Sequence, residues 1–334
     1  MNLLLLLSIC YIFACAKIKA LAVKNTEAGF VFLARLLYLC KMNKMERMDM
    51  AERMNIVKNM ENKDRIESVK RMDMVESAER MERIRGLVLA RCKDDGEAFV
   101  DASRLVCIDR LLEGSEWMCV AEGRLMRLYS QRALQAEDCV IVVSSHVDCV
   151  YESLCFEMLP SDDAAELTAR GTWDNALTNA AVVELMLSGR LPQNVVVAFT
   201  GDEEVKSRGA QEVVGALSEA DCYVRFVVVT DVTNVGWEHG LAFTIENDLN
   251  VDILTAHSIV EGMKGYAGRY GFVHEALPDE SWIYDEYKLP CLTLCHPVGG
   301  DMHSDEGALA RLSAFPVYCD ALADLCKILA ELIH

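Results

Sequence analysis

From residue 140 onward the chain alternates short valine-rich apolar runs with longer helix-like stretches. Val140 to Val143, Val195 to Phe199, Phe226 to Val229 and Leu292 to Leu294 are three to five residues long, which suits strands buried on both faces. Between and after them, Ala176 to Leu187, Gly209 to Leu217 and Leu312 to Ile333 read as helices. Strands alternating with helices imply crossover connections and a largely parallel sheet. The expected fold is therefore α/β, a largely parallel mixed sheet flanked by helices. Gly123 to Leu128 is a candidate for an additional strand.

Polar pieces follow these runs in a set order: Ser145-His146-Val147-Asp148, Gly171-Thr172-Trp173-Asp174-Asn175, Thr200-Gly201-Asp202-Glu203-Glu204, Thr230-Asp231 and Asp301-Met302-His303-Ser304. His146, the Glu203-Glu204 pair and Asp231 each come at the carboxyl end of a run, the edge where open α/β sheets place ligands. Asp174 stands just before a helix, whose N-terminus favours a carboxylate. A two-ion zinc-like centre needs an imidazole and a carboxylate for each ion, a shared carboxylate, and a free carboxylate to take a proton from water. His146, Asp174, Glu203, Glu204, Asp231 and His303 supply that set. Taken singly these residues have plainer readings: a histidine at a strand end is commonly structural, and Asp before a helix is commonly a cap. Adjacent Glu203 and Glu204 after a buried strand are the stronger sign, because their mutual repulsion is most simply relieved by a cation. Asp148, two residues past His146 on an extended segment, falls on the same side and can accept from its second ring nitrogen. His296, seven residues before His303, is a candidate to face the same cleft, while His239, His257, His274 and His334 have no partner pattern.

Ser-His-Val-Asp, Trp-Asp-Asn, Gly-Asp-Glu-Glu, Thr-Asp and Met-His-Ser together resemble the motifs of the co-catalytic zinc aminopeptidase and carboxypeptidase superfamily, peptidase clan MH, over residues 138 to 330. The resemblance implies His146 and Asp231 on one ion, Glu204 and His303 on the other, and Asp174 bridging the two. It implies Glu203 as general base, Asp148 as the partner of His146, and two divalent ions, zinc, as cofactors. Asp174 follows His146 by 28 residues and His303 follows Asp231 by 72 (174 − 146 and 303 − 231). Neither interval holds the domain inserted in some relatives, so the chain resembles the compact single-domain aminopeptidase branch. Leu177-Thr178 depart from the Ser-Gly found in many aminopeptidases. The implied activity is a zinc-dependent exopeptidase acting on N-terminal residues. The rival readings are a metal-dependent deacylase of N-acyl amino acids or small amides, and a non-catalytic scaffold. The intact Glu203 speaks against a scaffold, which has no need of a proton carrier.

The formal charge of −19, from 33 basic and 52 acidic residues, argues against a nucleic-acid or anionic-membrane partner. A peptide or small amide is the expected partner. The fourteen cysteines form no Cys-x-x-Cys pair with a matching partner, and several lie in strand-like apolar runs, so most read as reduced. The front of the chain is different in kind. Residues 1–40 form an apolar N-terminal extension whose Leu3 to Leu7 run is too short to span a bilayer. No basic residue precedes that run, so a cytoplasmic chain is expected, with export or membrane anchoring as the alternative. Residues 41–85 are rich in Met, Glu, Arg, Lys and Asp and repeat Arg-Met-Asp-Met at 47 and 71. Their apolar residues recur every third position, so on a helix the apolar stripe spirals around the cylinder and never settles on one face. This segment reads as a helical linker, leaving 86–334 as the catalytic domain, and a protein beginning near Met81 is expected to fold and keep its site.

Overall fold

The computed structural model describes residues 76–161, 166–274 and 276–332. The N-terminal extension and nearly all of the expected linker lie outside the described residues. The described chain opens with helix α1 (76–88). A small ribbon of β1 (Lys93–Asp94) and β2 (Phe99–Asp101) follows, then α2 (Ser103–Leu112), β3 (Met118–Glu122), β4 (Met126–Ser130), β5 (Cys139–His146), β6 (Phe156–Met158) and β7 (Thr168–Gly171). The remainder runs α3 (Ala176–Leu187), β8 (Val195–Thr200), α4 (Arg208–Glu219), β9 (Tyr223–Thr233), β10 (Phe243–Leu249), α5 (Ile253–Gly262), β11 (Tyr270–Val273), α6 (Ser281–Glu286), β12 (Cys291–Gly299), β13 (Ala308–Arg311) and α7 (Phe315–Glu331).

Eleven strands make one mixed sheet in the order β3-β4-β8-β5-β9-β12-β13-β7-β6, with β10 paired to β12 and β11 to β10. The centre, β8-β5-β9-β12, is parallel. It is built from the four valine-rich runs, extended by between one residue (β8) and seven (β9). Antiparallel pairings add the flanks on both sides, except that β11 joins β10 in parallel. Gly123 falls in the turn between β3 and β4, and the strand expected there begins at Met126. Strand β12 divides its partners: Cys291 to Pro297 lie along β9, whereas Val298 and Gly299 pair with β13. That fork leads the chain out over the sheet edge into the loop carrying His303.

Alternation along the strands separates two apolar layers. Ile141, Val143, Val195, Val197, Val228 and Leu294 face the layer that holds α3 and α7. Val140, Val142, Val196, Ala198, Val227 and Val229 face the layer containing Val213 of α4 and Tyr284 of α6. Helix α3 shows why its sequence is apolar almost all round: Ala176 through Val183 are all buried. Helix α1 joins the same layer, with Ile84, Leu87 and Val88 at 0–1 % exposure. Gly86 lies inside this helix. Arg80 and Arg83 of α1 both pair with Glu184 of α3. The eleven described cysteines are all free thiols. No helix of the described residues is long and apolar enough to cross a membrane.

Candidate metal centre

The parallel strands end level with one another, and their ends deliver the expected side chains to one edge. His146 is the last residue of β5, Asp231 lies near the end of β9, and Glu203 and Glu204 follow β8. Asp174 sits in the turn from β7 into α3, after a Trp173 side chain that is buried and donates from Nε1 to Ala308 O (2.8 Å). The Asp174–Asn175 peptide is cis. His303 comes from the loop between β12 and β13.

Asp174 stands between the two imidazoles. Its Oδ1 lies 3.0 Å from His146 Nε2, and its Oδ2 lies 3.1 Å from His303 Nε2. Asp231 Oδ1 is 3.5 Å from the same His146 nitrogen, and Glu204 Oε2 is 3.7 Å from the same His303 nitrogen. Glu203 Oε2 stands further off, 4.0 Å from His146 Nε2. Asp148 Oδ1 lies 3.4 Å from the other ring nitrogen, His146 Nδ1, and its Oδ2 accepts from the Glu204 amide (3.4 Å). All seven residues expected from the sequence are thus brought together.

The electrostatics of this cluster are those of a site built for cations. Five carboxyl groups surround two imidazoles, and none of the five pairs with a lysine or arginine among the described residues. Burial, with the Asp231, Asp174 and Glu204 charges adding to it against the pull of His146, pushes Glu203 up to about 10. Burial likewise lifts Glu204 to about 7 and Asp231 to about 6. Asp174 goes the other way: burial opposes its ionisation, but contact with His146 and His303 holds it well below the usual carboxylate range. The bond to Asp174 raises His303 to about 9. Both His146 ring nitrogens, Asp148 Oδ1, Asp174 Oδ1 and Glu204 Oε1 are buried without a hydrogen-bond partner. Buried groups left so are expensive; cations bound here would satisfy His146 Nε2 and the Asp174 and Glu204 oxygens, while His146 Nδ1 and Asp148 Oδ1 face each other at 3.4 Å.

Geometry supports that reading. Ligand atoms about 2.0–2.1 Å from a tetrahedral zinc ion stand roughly 3.3–3.4 Å apart, and the imidazole–carboxylate separations of 3.0–3.7 Å bracket that value on both sides of Asp174. Donor atoms of His146, Asp174 and Glu204 all lie within 4.8 Å of one another. The nitrogen and oxygen donor set suits zinc.

Sequence reading missed the residues that hold this cluster in place. Asn179 Nδ2 donates to His146 O (2.8 Å) and Ser145 Oγ (2.7 Å), and Asn175 Nδ2 donates to Thr230 O (2.7 Å). Thr178 donates to the Asn175 side-chain oxygen and so orients its amide. One helical turn beside Asp174 therefore grips the ends of β5 and β9. Its i, i+4 pattern of Asn175 and Asn179 was the available signal. Arg104 of α2, fully buried, donates from Nη1 to Val147 O (2.8 Å), the carbonyl between His146 and Asp148. Below His146, Ser144 Oγ donates to the buried Glu280 carboxylate (2.8 Å) and accepts from Tyr284 OH (2.9 Å), and burial lifts Glu280 to about 7. His296 does not share the cleft. Cys295 is the register partner of Asp231, so His296 points to the opposite face, where it is buried beside Tyr318 (ring centroids 5.5 Å apart).

A protein-family model described as Peptidase family M20/M25/M40 matches residues 142–331, the span holding every site residue. A TET aminopeptidase from a marine-sediment Thaumarchaeota archaeon superposes with a TM-score of 0.57 at 10 % identity, covering 75 % of this chain and 97 % of that one. A tripeptidase from Staphylococcus aureus gives 0.54 at 10 % identity, over 75 % and 98 %. Identities this low establish a shared fold. The search of curated proteins finds no match.

Proposed function

We propose that this chain, which belongs to peptidase family M20/M25/M40 and is a metal-dependent peptidase, is a two-zinc exopeptidase of the aminopeptidase type. The observation that carries the reading is the position of Asp174, one oxygen toward each imidazole. In this reading His146 and Asp231 hold one ion, His303 and Glu204 hold the other, and Asp174 serves both. Two ions there would lower the pKa of a shared water and polarise the scissile carbonyl.

The chain's own groups supply the rest. Asp148 faces His146 Nδ1, which keeps the proton on that nitrogen and leaves Nε2 free as a ligand. Glu203 stands off the ligand distances and is the group left to take the proton from water and return it to the departing amine. Without metal, burial and the surrounding negative charge favour a proton on Glu203; cations beside it would favour the carboxylate that a base needs. Asn175, Asn179 and Arg104 fix the backbone under the ligands, which keeps the geometry set before substrate arrives. Two structural relatives, an aminopeptidase and a tripeptidase, lend support to a peptide with a free amino end as substrate. The test is a panel of aminoacyl amides, short peptides and N-acyl amino acids, assayed with and without added zinc. Zinc-dependent release of N-terminal residues is expected. Turnover confined to N-acyl compounds would replace the reading with a deacylase, and no turnover of any kind with a scaffold.

A further inference from the structure

His303 is the exposed member of the cluster. Its side chain is 52 % exposed, while His146 is at 1 %. It hangs on a loop (300–307) bounded by glycines with positive φ, Gly300 and Gly307, and held by a turn of its own in which the His303 N–H donates to Asp301 Oδ1 (3.1 Å) and the Gly307 N–H to Ser304 O (2.9 Å). What ties that turn to the rest of the centre comes from elsewhere. Tyr151, 1 % exposed, lies five residues past His146. Its hydroxyl accepts from the Asp174 backbone N–H (3.2 Å) and donates to Met302 O, the carbonyl next to His303. The next residue adds a second tie, with the Glu152 N–H donating to Asp305 Oδ1 (2.8 Å).

One hydroxyl thus joins the backbone of the shared carboxylate to the backbone of the exposed imidazole. No comparable single group is needed for His146 and Asp231, which sit on strands of one parallel sheet. We infer that Tyr151 is a positioning residue for the exposed ion: its hydroxyl sets the spacing of Asp174 and His303, and with it the affinity for the second zinc. The inference rests on the two-zinc reading above. Tyr151 acts through the two loops and touches no reacting group.

Tyr151→Phe tests it cleanly, since the ring stays and only the hydroxyl leaves. Full-length wild type and variant are stripped with a chelator and titrated with zinc against a chromophoric competitor. Turnover is followed in parallel as free zinc is raised. In the variant one ion should bind as in wild type, and the second about 10–100-fold more weakly, the usual effect of losing an outer hydrogen-bond partner of a ligand. Turnover should fall at limiting zinc and recover in excess. A purely structural tyrosine would lower the melting temperature of the metal-free protein and leave both zinc affinities unchanged. That result would overturn the inference. A wild type that binds fewer than two zinc ions would instead overturn the two-zinc reading, and the inference with it.

Discussion

The two sides of the candidate metal centre are built from the same kinds of residue but anchored differently. His146 and Asp231 stand on neighbouring central strands, with Asn175 and Asn179 bonded to the backbone beneath them. His303 stands on a loop and is half exposed, with Glu204 in the turn after β8 as its acidic neighbour. Sheet-borne ligands inherit their geometry from the core, whereas loop-borne ones depend on a few specific bonds. The proposed ions should therefore differ in affinity although their ligand types match.

The substitution that should erase this difference is Asp174→Ala. A carboxylate belonging to both ions cannot be lost by one alone, so metal analysis after dialysis should show both depleted and turnover abolished. One ion kept at wild-type affinity would mean that Asp174 is not shared. Glu203→Gln should separate chemistry from binding: turnover down by about 10²–10⁴-fold, with two zinc ions retained. Glu204→Gln should do the reverse and lower zinc content on the exposed side. Matching behaviour in the two variants would undo that division of roles.

Next in size come the imidazoles taken singly. His303→Ala should leave one ion tightly held and the melting temperature of the metal-free chain unchanged. His146→Ala should release its own ion and loosen the other, because it leaves a void at a fully buried position beside the shared Asp174. Equal zinc loss in the two variants would show that burial does not rank the sites. The smallest effect on the centre should come from the front of the chain. A protein beginning at residue 76 should fold and hold zinc as the full chain does. One beginning at residue 89 gives up the burial of Ile84, Leu87 and Val88, about 1.5–3 kcal/mol for each, and should melt clearly lower. If both melt alike, α1 contributes nothing to the catalytic unit.

How much of this was legible beforehand varied with the kind of information. The cluster of candidate ligand residues was legible because its chemistry is rare and most of its positions, at the ends of valine-rich runs, are tied to the sheet edge. The helix expected over Ala176 to Leu187 has those same limits in the structure, because so apolar a stretch has only the core to occupy. Three things were hidden. The antiparallel flanks are made of short strands such as Phe156–Met158 and Ala308–Arg311, whose pattern is too brief to read. The contacts of Asn179, Arg104 and Tyr151 join residues 33, 43 and 151 positions apart, and no local spacing encodes them. Helix α1 was hidden by its surroundings. In a segment whose apolar residues recur in threes, Ile84 looks like more of the same, and a linker ended at residue 85 separates it from Leu87 and Val88, with which it enters the core.

The contrast in exposure between His146 and His303 has a consequence in time. An exposed side chain changes rotamer within picoseconds to nanoseconds, so the route into the second ion position opens without disturbing the sheet. His146, 1 % exposed at the end of β5, lacks that freedom, because its movement must displace the packed residues around it. On the proposed assignment, the ion on the His303 side exchanges faster with its surroundings than the ion on the His146 side. Such a protein would remain folded through a shortage of zinc and simply idle, resuming turnover when the supply returned.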